Sequence, residues 1–471
     1  MQSYERFEPY PRSRGVEKLA GVKQLAGELG HPEQAFRVVH VAGTNGKGMT
    51  AAMIARLLKR SGAPTGLYTS PHLTDIRERI VLRGEWISAS LFARAGHRVL
   101  NLADPLRERV HFSYFDLLTL IALEAFRSDG MEWAVLETGL GGLSDATNIS
   151  PKVLCVITRI GMDHMHVLGD TLQAIAAQKL GIVPPGVPTV LAEQPPALVP
   201  WMRARLAERG SPLTQAADFG LVPSRRRSER LRVRWPDGSR FSVAADVAPD
   251  APPDGPPNVP PDGPPGHLTP PKLACAANAL AAGEVLLGAA HGAERAARLR
   301  TVLATHLPGR LELRHRQRVA HHEGPPLQTI VLDGGHNAEA MAALVAQLRV
   351  WGISDYALLL ALQSDKLVAA LHEPLRDLLS GAGRIITLPP QTPRAPSFAE
   401  LAGFLRPLLP PRGRAAPIEI LAGPREALHA LAERPAQPVV LAGSFWMLGD
   451  MMRLLEDDAP PAGGTGGGGS R

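Results

Sequence analysis

The chain has 471 residues, more than one hydrophobic core usually serves, so two domains are expected. Apolar residues make up 45% and charged residues 20%, as in ordinary globular proteins, and two cysteines exclude a disulfide framework. The formal charge of +6 favours anionic partners, including nucleotides, but does not by itself indicate nucleic-acid binding.

Neither a membrane span nor a secretory signal is predicted. The sequence has no apolar run long enough to cross a bilayer, and its N-terminus has no apolar signal segment. Much of the excess of positive over negative charge lies in Arg225–Arg227 and in Arg230, Arg232 and Arg234, an alternation that predicts the solvated face of a strand. We therefore expect a cytoplasmic protein that binds neither membrane nor nucleic acid.

Short β-rich runs alternate with helical patterns over the first 200 residues. Strands are predicted at Phe36–Ala42, Trp133–Glu137 and Val153–Thr158. Helices are predicted at Met49–Ser61 and Leu172–Lys179. This alternation predicts a parallel sheet covered by helices on both faces.

A Pro-, Gly- and Asp-rich stretch at 248–271 predicts a flexible insertion, because it cannot bury enough apolar surface to become ordered. Alanine-rich helices are predicted from Leu273 to Ala304, followed by a connector at His306–Gly309. The tail at 459–471 is predicted to be disordered. A second alternation of strands and helices lies between the connector and the tail. Its predicted strands are Thr329–Leu332, Ala357–Leu362, Arg384–Leu388 and Val439–Ala442.

The sharpest local pattern is a strand, a glycine-rich loop and a helix, in that order. The loop reads Gly43-Thr44-Asn45-Gly46-Lys47-Gly48, so backbone amides and the helix N-terminus can face phosphate oxygens while Lys47 supplies a positive charge. It departs from an ordinary P-loop because Gly48 occupies the Ser/Thr position. A magnesium-binding hydroxyl must therefore come from Thr50 or from elsewhere in the chain.

The sequence resembles the Mur ligase superfamily, specifically its folylpolyglutamate synthase and dihydrofolate synthase branch. The resemblance spans roughly residues 14–450 without the Pro-rich insertion. It rests on GTNGKG and on further motifs in the family's order: TSPHL at 69–73, RERI at 77–80, ETGLGG at 137–142, DATN at 145–148, GMDH at 161–164, PGR at 308–310, DGGHN at 333–337 and GS at 443–444.

The resemblance implies an α/β fold, with a P-loop parallel-sheet ATPase domain followed by a smaller Rossmann-like α/β domain. The expected boundaries are 1–305 for the ATP-binding domain and 306–458 for the C-terminal domain. It also implies a ligase that activates a carboxylate as an acyl-phosphate and joins it to the amine of L-glutamate. The expected partners are ATP, L-glutamate and dihydropteroate or reduced folates, and the expected state is a monomer.

Site residues follow from the same resemblance. Ser70 and Glu137 are expected to hold one Mg²⁺ and His164 a second, while Lys179 is expected to be a carbamate. The expected catalytic residues are Lys47, Lys179 and His164. The residues expected to bind ATP are Gly43, Thr44, Asn45, Gly46, Lys47, Gly48, Met49, Thr50, Asn278, Arg310, Asp333 and His336, and those expected to bind the pterin substrate are Phe115, Ser144, Asp145 and Ala146.

Several positions depart from the family pattern, and they leave the substrate open. Met49 replaces a Ser or Thr, and Leu143-Ser144 stands where the family usually has Arg-Leu. A bifunctional dihydrofolate synthase/folylpolyglutamate synthase is predicted. The alternatives are a monofunctional folylpolyglutamate synthase and a degenerate, nucleotide-binding regulatory protein.

Overall fold

The computed structural model describes residues 15–223, 230–244, 268–319, 326–388, 395–410 and 418–457. These residues form two compact units that divide between Leu307 and Pro308. Predictions for the insertion up to residue 267, for Arg225–Arg227 and for the tail from 459 lie outside the described residues. None of the helices in the described ranges is long and apolar enough to cross a membrane.

The first unit is built on an eight-stranded sheet with the strand order β4-β3-β2-β5-β1-β6-β7-β8. All pairings from β2 to β8 are parallel, as the sequence predicts, and β3 and β4 add an antiparallel edge. The strands are β1 Arg37–Ala42, β2 Thr65–Tyr68, β3 Ile80–Leu82, β4 Glu85–Trp86, β5 Trp133–Glu137, β6 Lys152–Ile157, β7 Thr189–Leu191 and β8 Leu213–Gln215.

Helices cover both faces of this sheet. Side chains on opposite faces of β1 accordingly belong to different apolar clusters. Val39 and Val41 pack in one apolar cluster with residues of the helices Lys47–Arg60, Pro270–Leu287 and Ala293–Leu303, whereas Val38 packs in the cluster on the opposite face. The helices of this unit are α1 Gly15–Glu28, α2 Lys47–Arg60, α3 Ala89–Ala103, α4 Tyr114–Ser128, α5 Met165–Leu168, α6 Leu172–Leu180, α7 Val199–Glu208, α8 Pro270–Leu287 and α9 Ala293–Leu303.

Helix α8 begins inside the stretch that was predicted to be flexible, so that prediction is wrong for residues 268–271. The Thr269 hydroxyl accepts a hydrogen bond from the Lys272 amide and caps the helix. Pro270 suits the first helical position because its missing N–H would have no partner in the helix. The composition of the insertion concealed this start signal.

A small antiparallel sheet contains β9 Gly220–Pro223, β10 Arg230–Arg234 and β11 Arg240–Ala244. Along β10, Leu231 and Val233 are buried whereas Arg232 and Arg234 are exposed. The prediction of a solvated arginine face is therefore confirmed for these two arginines.

The second unit is a seven-stranded sheet with the order β16-β15-β14-β17-β13-β12-β18. Strands β13 to β17 pair in parallel, and β12 and β18 form an antiparallel edge. The α/β fold class is thus confirmed. The elements are β12 Glu312–Val319, β13 Leu327–Asp333, α10 Ala338–Val350, β14 Tyr356–Leu360, α11 His372–Ser380, β15 Ala382–Thr387, α12 Phe398–Leu405, β16 Ile418–Ile420, α13 Pro424–Ala432, β17 Val439–Ala442, α14 Phe445–Met452 and β18 Leu455–Asp457.

Candidate active site

The phosphate loop connects the central strand β1 to helix α2, and close approach by other segments dictates its glycines. A Cβ atom on Gly43 would lie 1.8 Å from the Thr158 hydroxyl oxygen. A Cβ on Gly46, whose φ is 82°, would lie 2.9 Å from the Cys275 sulfur. Larger residues at either position would push the loop away from the strand end, so the loop geometry depends on both glycines.

We expect Gly43→Ala to lower the free energy of unfolding by about 3 kcal/mol, because the new methyl group overlaps a buried hydroxyl. Gly62→Ala is the matched control, since Gly62 also has a positive φ, of 89°, but has open space around its Cβ position. This control should lose only about 1 kcal/mol, from backbone strain. Urea unfolding followed by circular dichroism measures both losses, and equal losses would contradict the steric explanation.

Gly48 has a separate reason to be glycine. A Cβ atom at this position would lie 3.0 Å from the Glu137 carboxylate oxygen Oε2. Glu137 is the last residue of β5, pairs beside β1, and is only 3% exposed. The carboxylate therefore lies in tight contact with the place where the side chain of an ordinary P-loop Ser or Thr would begin, which favours glycine at this position.

Ser70 approaches the same carboxylate from another loop. The Ser70 amide donates to Glu137 Oε2 at 2.9 Å. Glu78 holds this loop in shape, because its carboxylate accepts from the amides of Leu73 and Thr74, both at 2.8 Å. Ser70 and Glu137 thus meet beside the phosphate loop, while their binding of a metal stays a prediction.

Two lysines lie at the phosphate loop. Lys47 is half-buried and its ammonium group donates to the Thr44 carbonyl at 3.1 Å. Lys179 is 4% exposed and its side-chain nitrogen donates to the Gly43 carbonyl at 2.6 Å. Burial, and next the charge of Lys47, lower the pKa of Lys179 to about 7. An uncharged amine is therefore available at Lys179 near neutral pH.

The segment that carries His164 is tied to the phosphate loop by Gly161, whose amide donates to the Thr44 hydroxyl at 3.0 Å. The Thr44 hydroxyl in turn donates to the Gly161 carbonyl at 3.1 Å. His164 is half-buried with a φ of 49°, and its amide donates to the Asp163 carboxylate. The segment lies beside the loop, and metal binding by His164 stays a prediction.

Other residues expected to bind ATP divide by burial. Asn45 is half-buried in the loop, whereas the Met49 side chain lies in the apolar core, so only its backbone amide is suited to contact a phosphate. Thr50 is fully buried, and its hydroxyl accepts a hydrogen bond from the side-chain nitrogen Nδ2 of Asn278 at 3.4 Å. Asn278 thereby joins α8 to the phosphate-binding helix.

The residues expected to contact a pterin lie around the end of β5. Phe115 is 5.7 Å from the ring of Tyr68, measured between centroids, and a Cβ on Gly139 would lie 2.6 Å from the Phe115 ring. Asp145 is buried and accepts from the Leu140 amide at 2.9 Å. Ser144 is half-buried, whereas Ala146 is 1% exposed and packs in the core.

The second unit contains three residues predicted to bind ATP, and two of them pack against one aromatic ring. The Arg310 guanidinium lies 4.4 Å from the Phe445 ring centroid, and the His336 ring packs edge-on against the same ring. Asp333 accepts from the amides of Leu311 and Gly335, each at 2.8 Å. Burial raises the pKa of Asp333 to about 6.

Sequence reasoning missed several residues that shape these sites, namely His40, Thr147, Thr158, Cys275 and Phe445. His40 carried a local signal, as a polar residue within the apolar run of β1, and Thr147 lies in the DATN motif. Thr158 and Cys275 instead act on residues far away in the chain, Thr158 on Gly43 and Cys275 on Gly46. No local pattern could have identified those contacts.

Curated relatives match the chain over different lengths. Over 336 residues the chain is 32% identical to the dihydrofolate synthase/folylpolyglutamate synthase of Bacillus subtilis, covering 70% of this chain and 72% of the relative. Over 182 residues it is 41% identical to the mitochondrial folylpolyglutamate synthase of Cricetulus griseus, covering 38% of this chain but only 31% of that relative's length. No protein-family model matches the chain.

Solved structures show the same fold over nearly the whole chain. The folylpolyglutamate synthase of Mycobacterium tuberculosis, complexed with ADP and AMPPCP, has a TM-score of 0.74 at 24% identity and covers 93% of this chain and 95% of its own. The chain therefore has the two-domain Mur ligase fold, and the names of its curated relatives place it among ATP-dependent ligases. Within that class, the match to the Bacillus relative shows that the chain belongs to the folylpolyglutamate synthase and dihydrofolate synthase family.

Proposed function

We propose that the chain joins L-glutamate both to dihydropteroate and to the glutamate tail of folates, with ATP as the energy source. The observation that carries the proposal is the meeting of Glu137 and Ser70 beside the Lys47 phosphate loop. The Bacillus subtilis relative bears the names of both activities. We also propose a cytoplasmic monomer, a location that two buried, unbridged cysteines are consistent with.

The side chains at this position fit Mg²⁺. Glu137 offers a buried carboxylate 3.0 Å from the Cβ position of Gly48, and Ser70 adds a hydroxyl on a loop fixed against that carboxylate. Hard oxygen ligands of this kind, completed by water and phosphate oxygens, are what Mg²⁺ prefers. Bound there, the ion would neutralise phosphate charge. His164 is proposed for a second ion, beside the Asp163 carboxylate.

The chemistry needs positioning and charge more than a protein nucleophile. A substrate carboxylate oxygen attacks the γ-phosphorus of ATP, the bond to the β-phosphate oxygen breaks, and an acyl-phosphate and ADP form. The amine of glutamate then attacks the acyl carbon, phosphate leaves, and the amine loses a proton as the amide forms. Lys47 is proposed to balance the charge on the transferring phosphoryl group, since its ammonium sits on the loop itself.

Lys179 is proposed to act as a carbamate. Its uncharged amine can attack CO₂, so that an N–C bond forms and a proton leaves, which turns a cationic side chain into an anionic one. A pKa near 7 makes that amine available at neutral pH, and the nearby charge of Lys47 favours the anionic product. The carbamate would present oxygen atoms to a metal beside Gly43, which an ammonium group cannot do.

For the nucleotide, we propose that the loop residues 43–50 bind the phosphates together with Asn278. Arg310, Asp333 and His336 of the second unit are proposed to contact the phosphates and ribose, because a guanidinium and an imidazole lie against Phe445 and a buried carboxylate lies three residues before that imidazole. Asp333 has its carboxylate fixed by two backbone amides, as a ribose hydroxyl acceptor requires.

A product assay tests the proposal. The protein is incubated with ATP, Mg²⁺ and L-glutamate, with dihydropteroate in one reaction and tetrahydrofolate in another. The masses of the products are measured by mass spectrometry. We expect one glutamyl increment on dihydropteroate and one or more on tetrahydrofolate. An increment on tetrahydrofolate alone would establish the monofunctional alternative. ATP binding without any product in either reaction would favour a regulatory protein and overturn the proposal.

A further inference from the structure

His40 lies in the middle of the central strand β1, in a place where apolar residues are expected. Its side chain is fully buried, and the residue pairs with Leu136 on β5 and with Cys155 on β6. A polar ring in such a position costs free energy unless it is hydrogen-bonded, so its partner indicates what it does. That partner is Thr147, which is 107 positions away in the chain.

A short chain of hydrogen bonds runs from His40 to Asp145. His40 Nε2 lies 2.8 Å from the Thr147 hydroxyl, and that hydroxyl donates to Asp145 Oδ1 at 2.5 Å. The Thr147 amide donates to the same oxygen at 3.1 Å, and the Leu140 amide donates to Oδ2 at 2.9 Å. Both Asp145 carboxylate oxygens thus accept hydrogen bonds from protein donors. His40 and Thr147 are completely buried.

The direction of these bonds follows from counting protons. A threonine hydroxyl has one proton, and an ionised carboxylate can only accept. Because Thr147 donates its proton to Asp145, it must accept one from His40. His40 therefore carries its proton on Nε2, and its Nδ1 atom has no hydrogen-bond partner within the described part of the chain.

The surroundings keep the ring neutral. Burial, and next the charge of Lys152, lower the pKa of His40 well below its usual value. A neutral imidazole with one fixed proton is a donor to Thr147 at any ordinary pH, so the chain of bonds has one stable direction.

We propose that His40 and Thr147 are positioning residues that hold Asp145 as an ionised, oriented acceptor for the pteridine ring of the substrate. The inference rests on the proposed function. A 2-amino-4-oxopteridine presents an amide N–H and an amino group side by side, and a carboxylate is the matching acceptor for two such donors. Neither His40 nor Thr147 needs to touch the substrate for this role.

Two matched pairs of variants test the role. Thr147→Val removes the hydroxyl at constant shape, while Thr147→Ser keeps it. His40→Leu removes the donor, while His40→Gln places an amide N–H near the position of Nε2. We expect the first member of each pair to raise KM for dihydropteroate about 10- to 100-fold, with KM for ATP unchanged. Thr147→Val loses the hydrogen bond to the Asp145 carboxylate, and His40→Leu loses the donor that fixes the direction of that bond. Thr147→Ser and His40→Gln should keep a KM for dihydropteroate close to that of the unchanged protein.

A merely structural role would lower thermal stability in Thr147→Val and His40→Leu without a selective change in KM for dihydropteroate, and that result would overturn the proposal. A second measurement does not depend on any substrate. In protein labelled with ¹⁵N-histidine, the signal lost in His40→Gln should show a neutral ring protonated on Nε2 from pH 5 to pH 8. A proton on Nδ1, or titration in this range, would overturn the hydrogen-bond direction even if the product assay succeeds. The expected signal from a protein without ligase activity would instead mean that the proposed function fails while the hydrogen-bond chain stands.

Discussion

Lys47→Ala should reduce glutamate-dependent phosphate release about 1,000-fold, with the fold unchanged. The ammonium group of Lys47 lies on the phosphate loop, where it donates to the Thr44 carbonyl, and it is the charge proposed to balance the transferring phosphoryl group. Because the interaction is strongest in the transition state, kcat should fall more than KM for ATP rises. Steady-state phosphate release with dihydropteroate and glutamate measures both.

Lys59→Ala is the matched control, because Lys59 is an exposed lysine near the end of the same helix. It should retain nearly full activity, and both variants should give the same circular dichroism spectrum as the unchanged protein. Phosphate release by Lys47→Ala within tenfold of the unchanged rate would remove Lys47 from the proposed mechanism.

Lys179→Met should also reduce turnover, by about 100- to 1,000-fold, without unfolding the protein. The buried amine of Lys179 is the proposed site of a carbamate, which methionine cannot form. In the unchanged protein, activity lost on removing CO₂ should return when bicarbonate is added, and ¹³C-bicarbonate should give a carbamate signal by NMR. Lys179→Met should show neither the recovery nor the signal.

The pH dependence of this recovery has a definite sign. Burial lowers the pKa of Lys179 to about 7, so the uncharged amine predominates above pH 7 and becomes the minor form below it. Recovery with bicarbonate should therefore weaken as the pH drops from 7 to 6. Lys152→Met is the control, since Lys152 is another lysine whose pKa burial lowers, to about 8, but it donates to Asn148 away from the loop. This variant should keep the recovery, and its loss there would count against Lys179 as the site.

Local sequence patterns predicted the regular elements well where apolar runs were bounded by turn residues. The strands Trp133–Glu137 and Val439–Ala442 have the predicted bounds, and β1 begins only one residue after its predicted start. Helix α2 was predicted to begin at Met49 but begins at Lys47. The difference arises because Gly46, in a left-handed conformation, ends the loop and lets the helix start directly after it.

The phosphate loop shows how far such reasoning extends. The sequence indicated that Gly48 lacks the hydroxyl of an ordinary P-loop and that another residue must supply it. Why position 48 is glycine could not be predicted, because the reason is the Glu137 carboxylate at the end of another strand. A contact between residues 89 positions apart leaves no local periodicity from which to infer it.

The sequence by itself determined which segments form strands and helices and which loop is the candidate phosphate site, because apolar periodicity, glycines and a lysine act within a few residues of one another. Only the tertiary structure decided that Lys179 is buried rather than on a helix surface, since its amine reaches the Gly43 carbonyl across 136 positions of chain. The same holds for the bond between His40 and Thr147. Burial and long-range hydrogen bonds set the pKa and the proton position of such groups, and both depend on neighbours that parallel strands bring together only on folding.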